Sequence, residues 1–345
     1  MRDHMLEAIR LAADEHPHPN PRVGAIVLDP EGAVVGRGAH LGPGSPHAEV
    51  IALSAAGDRA RGGTLVVTLE PCSHEGRTSP CTRAVIESGV ARVVVGVGDP
   101  DQRVAGGGLR RLREAGVAVE TGIAAEEAYG LDPGYFHHRR TGRPLVTVKM
   151  AATLDGQSAA ADGTSRWITG PEAREDAHRL RASSDAVMVG AGTVISDDPR
   201  LTVRLEGYTG VQPRSVVVAG HHPIPPDASV FGRDPIVYSP VPLDLPGEVV
   251  VLPGPEGVDV SSMIADLGKR EIVDLLCEGG PRLAGSMLRS GLVSRIVLYL
   301  AGSLAMGVGH PMIDGSFTGI DGLWPVEITG VVRLGPDLRV DAEVR

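Results

Sequence analysis

Aromatic residues are scarce in this chain. Phenylalanine, tryptophan and tyrosine make up 3% of the 345 residues, whereas hydrophobic residues as a whole make up 42%. The cores must therefore be built mainly from aliphatic side chains. Because single hydrophobic cores usually stop growing below this chain length, we expect two domains, each with a core of its own.

Cysteine, basic charge and long apolar runs are also lacking. Only three cysteines occur, and two of them, Cys72 and Cys81, share one short segment, which excludes a disulfide framework. The formal charge is −10, so the basic surface that a nucleic-acid binder needs is missing. No run suits a signal peptide or a membrane span. These absences predict a cytoplasmic protein that acts on a small molecule, without nucleic-acid or membrane partners.

Short aliphatic runs alternate with helical patterns along the whole chain, which indicates an α/β class. Between residues 135 and 144 the sequence turns polar and basic, and we interpret this stretch as a solvated connector. The boundary placed there gives two domains, residues 1–143 and 144–345. Strands are predicted at residues 23–28, 64–69, 92–97, 145–150, 186–189, 215–218, 236–238, 248–252, 272–277 and 296–301.

Three residues of the first half form a candidate zinc site. His47 begins a predicted helix, Cys72 follows the end of a strand, and Cys81 follows a proline at a helix start. Helix dipoles favour thiolate, the form of cysteine that binds zinc. One imidazole and two thiolates leave the fourth tetrahedral position open, which is typical of catalytic zinc.

A carboxylate beside such a site suggests hydrolysis. Zinc lowers the pKa of a water molecule, and Glu49, two residues after His47, is the expected carrier of its proton. The H-x-E motif followed by Pro-Cys is typical of zinc deaminases, although eight residues separate Cys72 from Cys81 where two are usual. One alternative stays open: His74 as a fourth ligand would make the zinc structural.

Longer motifs resemble the bifunctional riboflavin-biosynthesis deaminase-reductase family, and the resemblance covers nearly the whole chain. The eight-residue gap between the cysteines belongs to that family's pattern. The resemblance implies a cytidine-deaminase-like three-layer domain, then a dihydrofolate-reductase-like α/β domain that forms a homodimer. The matching segments are residues 19–24 (PNPRVG), 47–49 (HAE), 68–81 (TLEPCSHEGRTSPC), 149–156 (KMAATLDG), 165–169 (SRWIT), 192–199 (GTVISDDP) and 277–280 (CEGG).

The same resemblance implies two consecutive reactions, with one zinc ion per chain and NADPH as cofactors. The first domain would deaminate 2,5-diamino-6-(5-phosphoribosylamino)pyrimidin-4-one by zinc-assisted hydrolysis. The second would reduce the ribosyl group, giving 5-amino-6-(5-phosphoribitylamino)uracil. Two alternatives remain: a zinc deaminase of another base or nucleoside whose second domain is non-catalytic or differently specific, and a non-enzymatic zinc-stabilised module.

Deaminase contacts follow from the resemblance, residue by residue. An amide can both donate to and accept from a ring edge, and a guanidinium can hold a phosphate. Asp101 departs from the family, which often has asparagine there, and it would place a carboxylate beside a phosphorylated substrate. The implied substrate contacts are Asn20, His40, His74, Arg77, Asp99 and Asp101.

Reductase contacts are implied in the same way. A glycine turn before a predicted helix can present backbone amides to an anion. Ala219-Gly220 stands where the family commonly has Asp-Ser, so a side-chain contact to the cofactor would be missing. The implied cofactor contacts are Ala151, Trp167, Thr193, Asp197, Gly220, Gly280, Pro281, Arg282, Leu283, Ala284, Gly285 and Ser286. The implied substrate contacts are Ser165, Arg181, Leu201, Arg204 and Glu278.

Hydride transfer needs a proton donor or electrostatic support, and the candidate catalytic residues are Lys149, Asp197 and Glu278. Residue type alone also allows plainer roles for several of these side chains. Trp167 could be core packing, isolated arginines such as Arg181 are usually on the surface, and a lysine at a strand end can point into water.

Overall fold

The computed structural model describes residues 1–73, 79–101, 105–315 and 318–344. Its internal contacts divide the chain into two units, Met1–Gly142 and Arg143–Arg345. Both units contain a β-sheet with helices packed against it, which confirms the predicted α/β class.

The N-terminal unit is built on a five-stranded sheet. Its strands are β1 (Gly24–Leu28), β2 (Val34–Ala39), β3 (Thr64–Leu69), β4 (Arg92–Val97) and β5 (Ala118–Thr121), in the order β2-β1-β3-β4-β5. Strand β1 runs antiparallel to both β2 and β3, whereas β3, β4 and β5 are parallel. Its helices are α1 (Arg2–Ala13), α2 (Ala48–Ala56), α3 (Cys81–Ser88), α4 (Gly107–Glu114), α5 (Ala125–Gly130) and α6 (Pro133–Thr141).

Glycines set how closely two helices approach this sheet. A Cβ atom at Gly24 would lie 1.9 Å from the Ala8 carbonyl oxygen of α1, and one at Gly38 would lie 2.3 Å from the Ala48 carbonyl oxygen of α2. Because Gly24 pairs with Ala39, the neighbour of Gly38, the two glycines face opposite sides of the sheet. Helices α1 and α2 therefore cover opposite faces, which gives the three-layer arrangement.

The predicted solvated connector at residues 135–144 is wrong over most of its length. It is largely helix α6, which Asp132 caps by accepting a hydrogen bond from the Tyr135 amide at 3.3 Å. Tyr135, Phe136 and His138 are buried. The basic residues misled the interpretation, because the guanidinium of Arg139 stacks over the Tyr135 ring instead of standing in water.

The C-terminal unit contains thirteen strands within its described residues: β6 (Leu145–Thr153), β7 (Gln157–Ala159), β8 (Ala186–Gly190), β9 (Arg214–Val218), β10 (Ile236–Ser239), β11 (Glu248–Val251), β12 (Pro253–Gly254), β13 (Gly257–Val258), β14 (Asp274–Cys277), β15 (Arg295–Ala301), β16 (His310–Pro311), β17 (Val326–Leu334) and β18 (Asp337–Val344). Its helices are α7 (Pro171–Ala182), α8 (Ala191–Asp197), α9 (Val260–Lys269) and α10 (Pro281–Arg289).

Nine of these strands form one sheet in the order β11-β10-β9-β8-β14-β6-β15-β18-β17. The seven strands from β11 to β15 are parallel, and β18 and β17 extend the sheet antiparallel. The two cores against this sheet are almost wholly aliphatic, as the composition predicted. The fully buried aromatic residues are Tyr238 and Tyr299, and each hydroxyl donates to a carboxylate, Asp266 and Asp176 respectively.

A methyl group at Gly38 should break the contact between α2 and β2. We expect Gly38→Ala to destabilise the N-terminal unit by about 2 kcal/mol or more, since the clash is with helix backbone that cannot rotate away. Urea unfolding followed by circular dichroism measures this. Gly130→Ala, at a position with no atom within 4 Å of the added carbon, is the matched control. Equal midpoints for the two variants would contradict the prediction.

Candidate functional site

The three predicted metal ligands lie together at the ends of two helices. His47 is the N-cap residue of α2, Cys81 is the first residue of α3, and Cys72 follows β3. The His47 Nδ1 atom is 2.9 Å from the Cys81 Sγ atom and 3.7 Å from the Cys72 Sγ atom, and all three ligand atoms lie within 4.8 Å of one another. Nitrogen and sulfur atoms at such separations match a tetrahedral zinc ion.

The electrostatics of this cluster suit a cation. A hydrogen bond from the Cys81 thiol, aided by the Cys81 backbone amide at 3.3 Å, lowers the pKa of the Cys72 thiol to about 4. The hydrogen bond to Cys72 raises the pKa of the His47 imidazole and that of the Cys81 thiol. The cluster thus favours the thiolate at Cys72, and the Cys81 thiol would release its proton on binding a divalent ion.

Glu49 lies in the first turn of α2 beside these ligands and is only 3% exposed. Burial raises the pKa of its carboxyl group. A carboxyl with a raised pKa takes up a proton more readily than an ordinary glutamate, which suits a proton carrier.

Asn20 and His40 form a connected pair at this site. The His40 Nδ1 atom donates to the Pro46 carbonyl oxygen at 3.1 Å, which leaves Nε2 free to accept from the Asn20 amide at 2.9 Å. The predicted contact between His40 and the sugar phosphate does not fit this geometry, because His40 is 2% exposed and both ring nitrogens are engaged. His40 instead fixes the orientation of the Asn20 amide.

Asp99 and Asp101 follow β4 and are both buried. The Asp101 amide donates to the Asp99 carboxylate at 2.9 Å, and the Tyr135 hydroxyl donates to it at 3.1 Å. Burial raises the pKa of Asp99 to about 6. The sequence reasoning missed Tyr135, whose signal was the Asp132-Pro133 helix start; His74 and Arg77 lie outside the described residues.

Glu70 is a second polar residue that the sequence reasoning missed. Its buried carboxylate accepts from the backbone amides of Gly106, Gly108 and Leu109 at 3.0–3.3 Å and so caps the start of α4. This arrangement ties the segment after β4 to the Cys72 loop.

The predicted reductase residues Arg181 and Glu278 form a bidentate ion pair. The Arg181 Nε and Nη2 atoms each donate to a Glu278 oxygen at 2.7 Å, and both side chains are largely buried. Burial raises the pKa of Glu278, but Arg181 and Lys149 outweigh it and bring that pKa down to about 2. Arg181 is therefore no surface arginine. Lys149 lies nearby with its Nζ atom 5.5 Å from the centre of the Tyr299 ring.

A cavity of about 390 Å³ lies in the C-terminal unit, next to the SRWIT motif. Ser165, Trp167 and the loop from Ala305 to Gly309 line it. Core packing of Trp167 is excluded, because its side chain is 71% exposed. The Arg174 guanidinium, which sequence reasoning missed, lies 4.5 Å from the ring centre, so it covers part of the indole.

The predicted cofactor-binding segment, residues 280–286, is accessible in one part and buried in another. Gly280 caps α10, and the side chain of Arg282 is exposed. Ala284 is fully buried in the core, and a Cβ atom at Gly285 would lie 2.2 Å from the Asp314 carbonyl oxygen. The predicted cofactor contacts at Ala284 and Gly285 do not fit this packing.

The remaining predicted contacts are spread over several elements of the C-terminal unit. Thr193 lies in the first turn of α8, and a Cβ atom at Gly280 would lie 3.7 Å from the Thr193 hydroxyl. Gly220 follows β9 with a φ of +56°, whereas Ala219 is fully buried, so only backbone is offered there. The others are Ala151 in β6, Asp197 at the end of α8 and, after α8, the buried Leu201 and the exposed Arg204.

Family models match both units. The model of the cytidine and deoxycytidylate deaminase zinc-binding region matches residues 1–97, and the model of the RibD C-terminal domain matches residues 144–339. A deaminase domain with a zinc site and a reductase domain on one chain define a bifunctional enzyme. These domains imply a zinc ion and a nicotinamide cofactor.

Relatives match along nearly the whole chain. The riboflavin biosynthesis protein RibD of Mycobacterium tuberculosis is 41% identical over 95% of this chain and 92% of its own length. That of Aquifex aeolicus is 40% identical over 98% and 96%. A solved structure of Acinetobacter baumannii RibD is 34% identical, with a TM-score of 0.92, and covers 100% of this chain and 98% of its own.

A solved Thermotoga maritima structure, a diaminohydroxyphosphoribosylaminopyrimidine deaminase and 5-amino-6-(5-phosphoribosylamino)uracil reductase, is 31% identical. Its TM-score is 0.90, over 100% of this chain and 98% of the other. The chain belongs to the RibD family. It is a bifunctional deaminase and reductase of riboflavin biosynthesis that acts on a small molecule, which rules out the non-enzymatic module. Within the described residues, no helix combines the length and apolar character that membrane crossing requires.

The raised pKa of Asp99 predicts a pH-dependent stability difference. A carboxyl that is harder to ionise in the folded state stabilises the fold at low pH, and this stability is lost as pH rises from about 4 through about 6. The advantage of Asp99→Asn over the parent protein should therefore grow by about 1 kcal/mol between pH 5 and 7.5. Urea unfolding at both pH values tests this, and a pH-independent difference would refute it.

Proposed function

We propose that this enzyme deaminates 2,5-diamino-6-(5-phosphoribosylamino)pyrimidin-4-one and then reduces the ribosyl group with NADPH, giving 5-amino-6-(5-phosphoribitylamino)uracil. The observation that carries the deaminase step is the cluster of one imidazole and two sulfur ligands beside the buried Glu49. The Thermotoga maritima structure, named for both activities, supports the choice of substrate.

In the deaminase domain, His47, Cys72 and Cys81 would hold zinc. The ion would supply Lewis acidity, which lowers the pKa of a water molecule to a value near neutral pH. Glu49 would carry one proton of that water to the ring nitrogen. It would then pass the second proton, from the hydroxyl added to the ring carbon, to the amino group, which leaves as ammonia. The low exposure of Glu49 keeps competing water away from the proton that it carries.

Asn20 and Asp99 would orient the substrate. Because His40 accepts from the Asn20 amide nitrogen, the Asn20 carbonyl oxygen is directed to accept from a donor on the pyrimidine edge. Asp99, held by Tyr135, lies at the carboxyl end of β4 and would accept from sugar hydroxyls. Asp101 does not suit a phosphate contact, since its buried carboxylate would repel that anion.

In the reductase domain, the geometry separates the three catalytic candidates. Glu278 is ionised and bound to Arg181, so it cannot donate a proton; it holds positive charge at the site instead. Asp197 is already engaged as a hydrogen-bond acceptor, because the Ser196 hydroxyl donates to its carboxylate at 3.0 Å. Hydride addition to C1 of the opened sugar leaves an electron pair on the adjoining nitrogen, and Lys149 is the proposed proton donor to it.

NADPH would lie against Trp167 in the cavity, with its phosphates near the amides of the turn from Gly280 to Leu283. A helix start provides unpaired amides for anions. Gly280 is the N-cap residue of α10 and Pro281 begins the helix, so the amides available there are those of Gly280, Arg282 and Leu283. The neighbouring Thr193 hydroxyl can add a hydrogen bond.

We also propose a homodimer formed through the reductase unit. Strand β17 is the edge of the nine-stranded sheet, and four of its apolar side chains are exposed. Leu323 and Trp324 extend this apolar surface just before the strand. An exposed apolar edge of this kind favours pairing with a second copy. The four side chains are Val326, Ile328, Val331 and Val332.

The proton-carrier role of Glu49 predicts a selective loss. Glu49→Gln should lower the deamination rate by about 10²- to 10⁴-fold, because the amide cannot carry a proton. Zinc content and the reduction of supplied deaminated substrate should stay at parental values. Mass spectrometry of the two products, with metal analysis, measures all three. Parental deamination by the variant would remove Glu49 from this role.

The dimer proposal predicts that a charge on β17 separates the subunits. Ile328→Glu should run in size-exclusion chromatography with light scattering at the monomer mass of 35.9 kDa, whereas the parent runs at twice that mass. Val241→Glu places the same charge at a partly exposed valine away from β17 and should stay dimeric. A monomeric parent protein, or a dimeric Ile328→Glu, would overturn this interface.

A further inference from the structure

His178 has a contact that neither the motifs nor the resemblance assigned. It lies on α7, three residues before Arg181, so the two side chains share one face of the helix. Its half-buried ring accepts a hydrogen bond at Nδ1 from the backbone amide of Arg204 at 3.3 Å. A helix side chain thus binds directly to the backbone of a residue that we place at the substrate.

The backbone around Arg204 lacks the support of a sheet. Residues 201–204 belong to no strand or helix, and Leu201 has a left-handed φ of +52°, which non-glycine residues keep only when their surroundings hold them. Three side chains supply the hydrogen bonds that a neighbouring strand would otherwise give. Arg181 donates to the Thr202 carbonyl at 3.0 Å, Gln212 bonds both polar atoms of the Val203 backbone at 2.7 and 3.1 Å, and His178 accepts from Arg204.

Burial, together with two neighbouring guanidinium groups, keeps the His178 imidazole neutral. Arg181 on the same helix, Arg204 on the opposing segment and Glu278 after β14 face the ring. Burial, followed by the two guanidinium groups, lowers the pKa of His178 to about 4 in spite of Glu278 and the Thr202 backbone. A neutral imidazole has one nitrogen that accepts, whereas an imidazolium has none. The bond from the Arg204 amide therefore persists at neutral pH.

We infer that His178 is a positioning residue of the reductase site, whose neutral imidazole fixes the Arg204 backbone so that the Arg204 guanidinium meets the phosphate of the substrate. The inference rests on the proposed function and on the family resemblance, which implies that Arg204 contacts the substrate. Its specific content is that His178 acts through an accepted hydrogen bond and not through a positive charge.

Two substitutions of His178 distinguish a role as a hydrogen-bond acceptor from a role as a positive charge. The Oδ1 atom of asparagine is as many bonds from Cα as the Nδ1 atom of histidine, so His178→Asn keeps an acceptor in place; His178→Leu removes it. In the full zinc-loaded chain, supplied with 5-amino-6-(5-phosphoribosylamino)uracil and NADPH, we expect H178L to raise the KM for the pyrimidine phosphate about tenfold. We expect kcat, the KM for NADPH and deamination to stay within about twofold, and H178N to restore the parental KM.

Each other outcome has a distinct meaning. If H178N raises KM as much as H178L, and the parental KM also rises with pH between 5.5 and 8, His178 binds as a cation and the inference is wrong. If H178L is parental while Arg204→Met raises KM, Arg204 needs no such support and the inference is again wrong. If Arg204→Met also leaves KM unchanged, the substrate assignment itself has failed. Should H178L not fold, His178→Ala takes its place.

Discussion

Parallel strand pairing is the constraint on which both sites depend. Strands that run the same way end at the same edge, so residues distant in sequence meet where the strands stop. The pairing of β3 with β4 brings the Cys72 loop close to Asp99. In the other unit, Cys277 of β14 pairs with Val148 of β6 and Met188 of β8. Glu278 and Lys149 are the next residues along β14 and β6, so they lie at the same level of the sheet. The Glu278 amide then closes the edge by donating to the Met188 carbonyl at 2.9 Å.

Two buried carboxylates at these edges differ in how their negative charge is compensated. Glu278 receives both arms of a guanidinium and stays ionised, because the paired charges compensate for the loss of water. Among the described residues, Asp99 receives a hydroxyl and an amide but no cation, and burial therefore prevails and raises its pKa. A partly compensated carboxylate is unfavourable for stability, and it is retained at a position where a substrate hydroxyl could complete its hydrogen bonds.

The sequence was informative wherever chemistry depends on a short motif or a simple period. Aliphatic runs located the central strands to within a few residues, and the HxE and Pro-Cys motifs located the three ligands that the fold brings together. Connections that depend on tertiary contacts were not visible. Helix α6 was missed because its arginines stack on aromatic rings. Strand β17 was missed because a register shift between Ile328 and Gly330 interrupts its alternation of polar and apolar residues, and β18 was overlooked although its residues alternate cleanly.

Side-chain partners were harder still to predict. Nothing in the residue pattern shows that His40 serves Asn20, or that Glu70 caps a helix that begins 37 residues later, at Gly107. Each such role depends on which buried polar atoms the fold would otherwise leave without a hydrogen-bond partner. A single sequence does not show which atoms those are.

The extended backbone at residues 201–204 has a consequence for how this family could change. Because its peptide groups are bound by side chains from α7 and from Gln212, and not by a neighbouring strand, its path can be altered by single substitutions without breaking a sheet ladder. A substitution at His178 or Gln212 would therefore move the backbone that carries Arg204 while the sheet stays fixed.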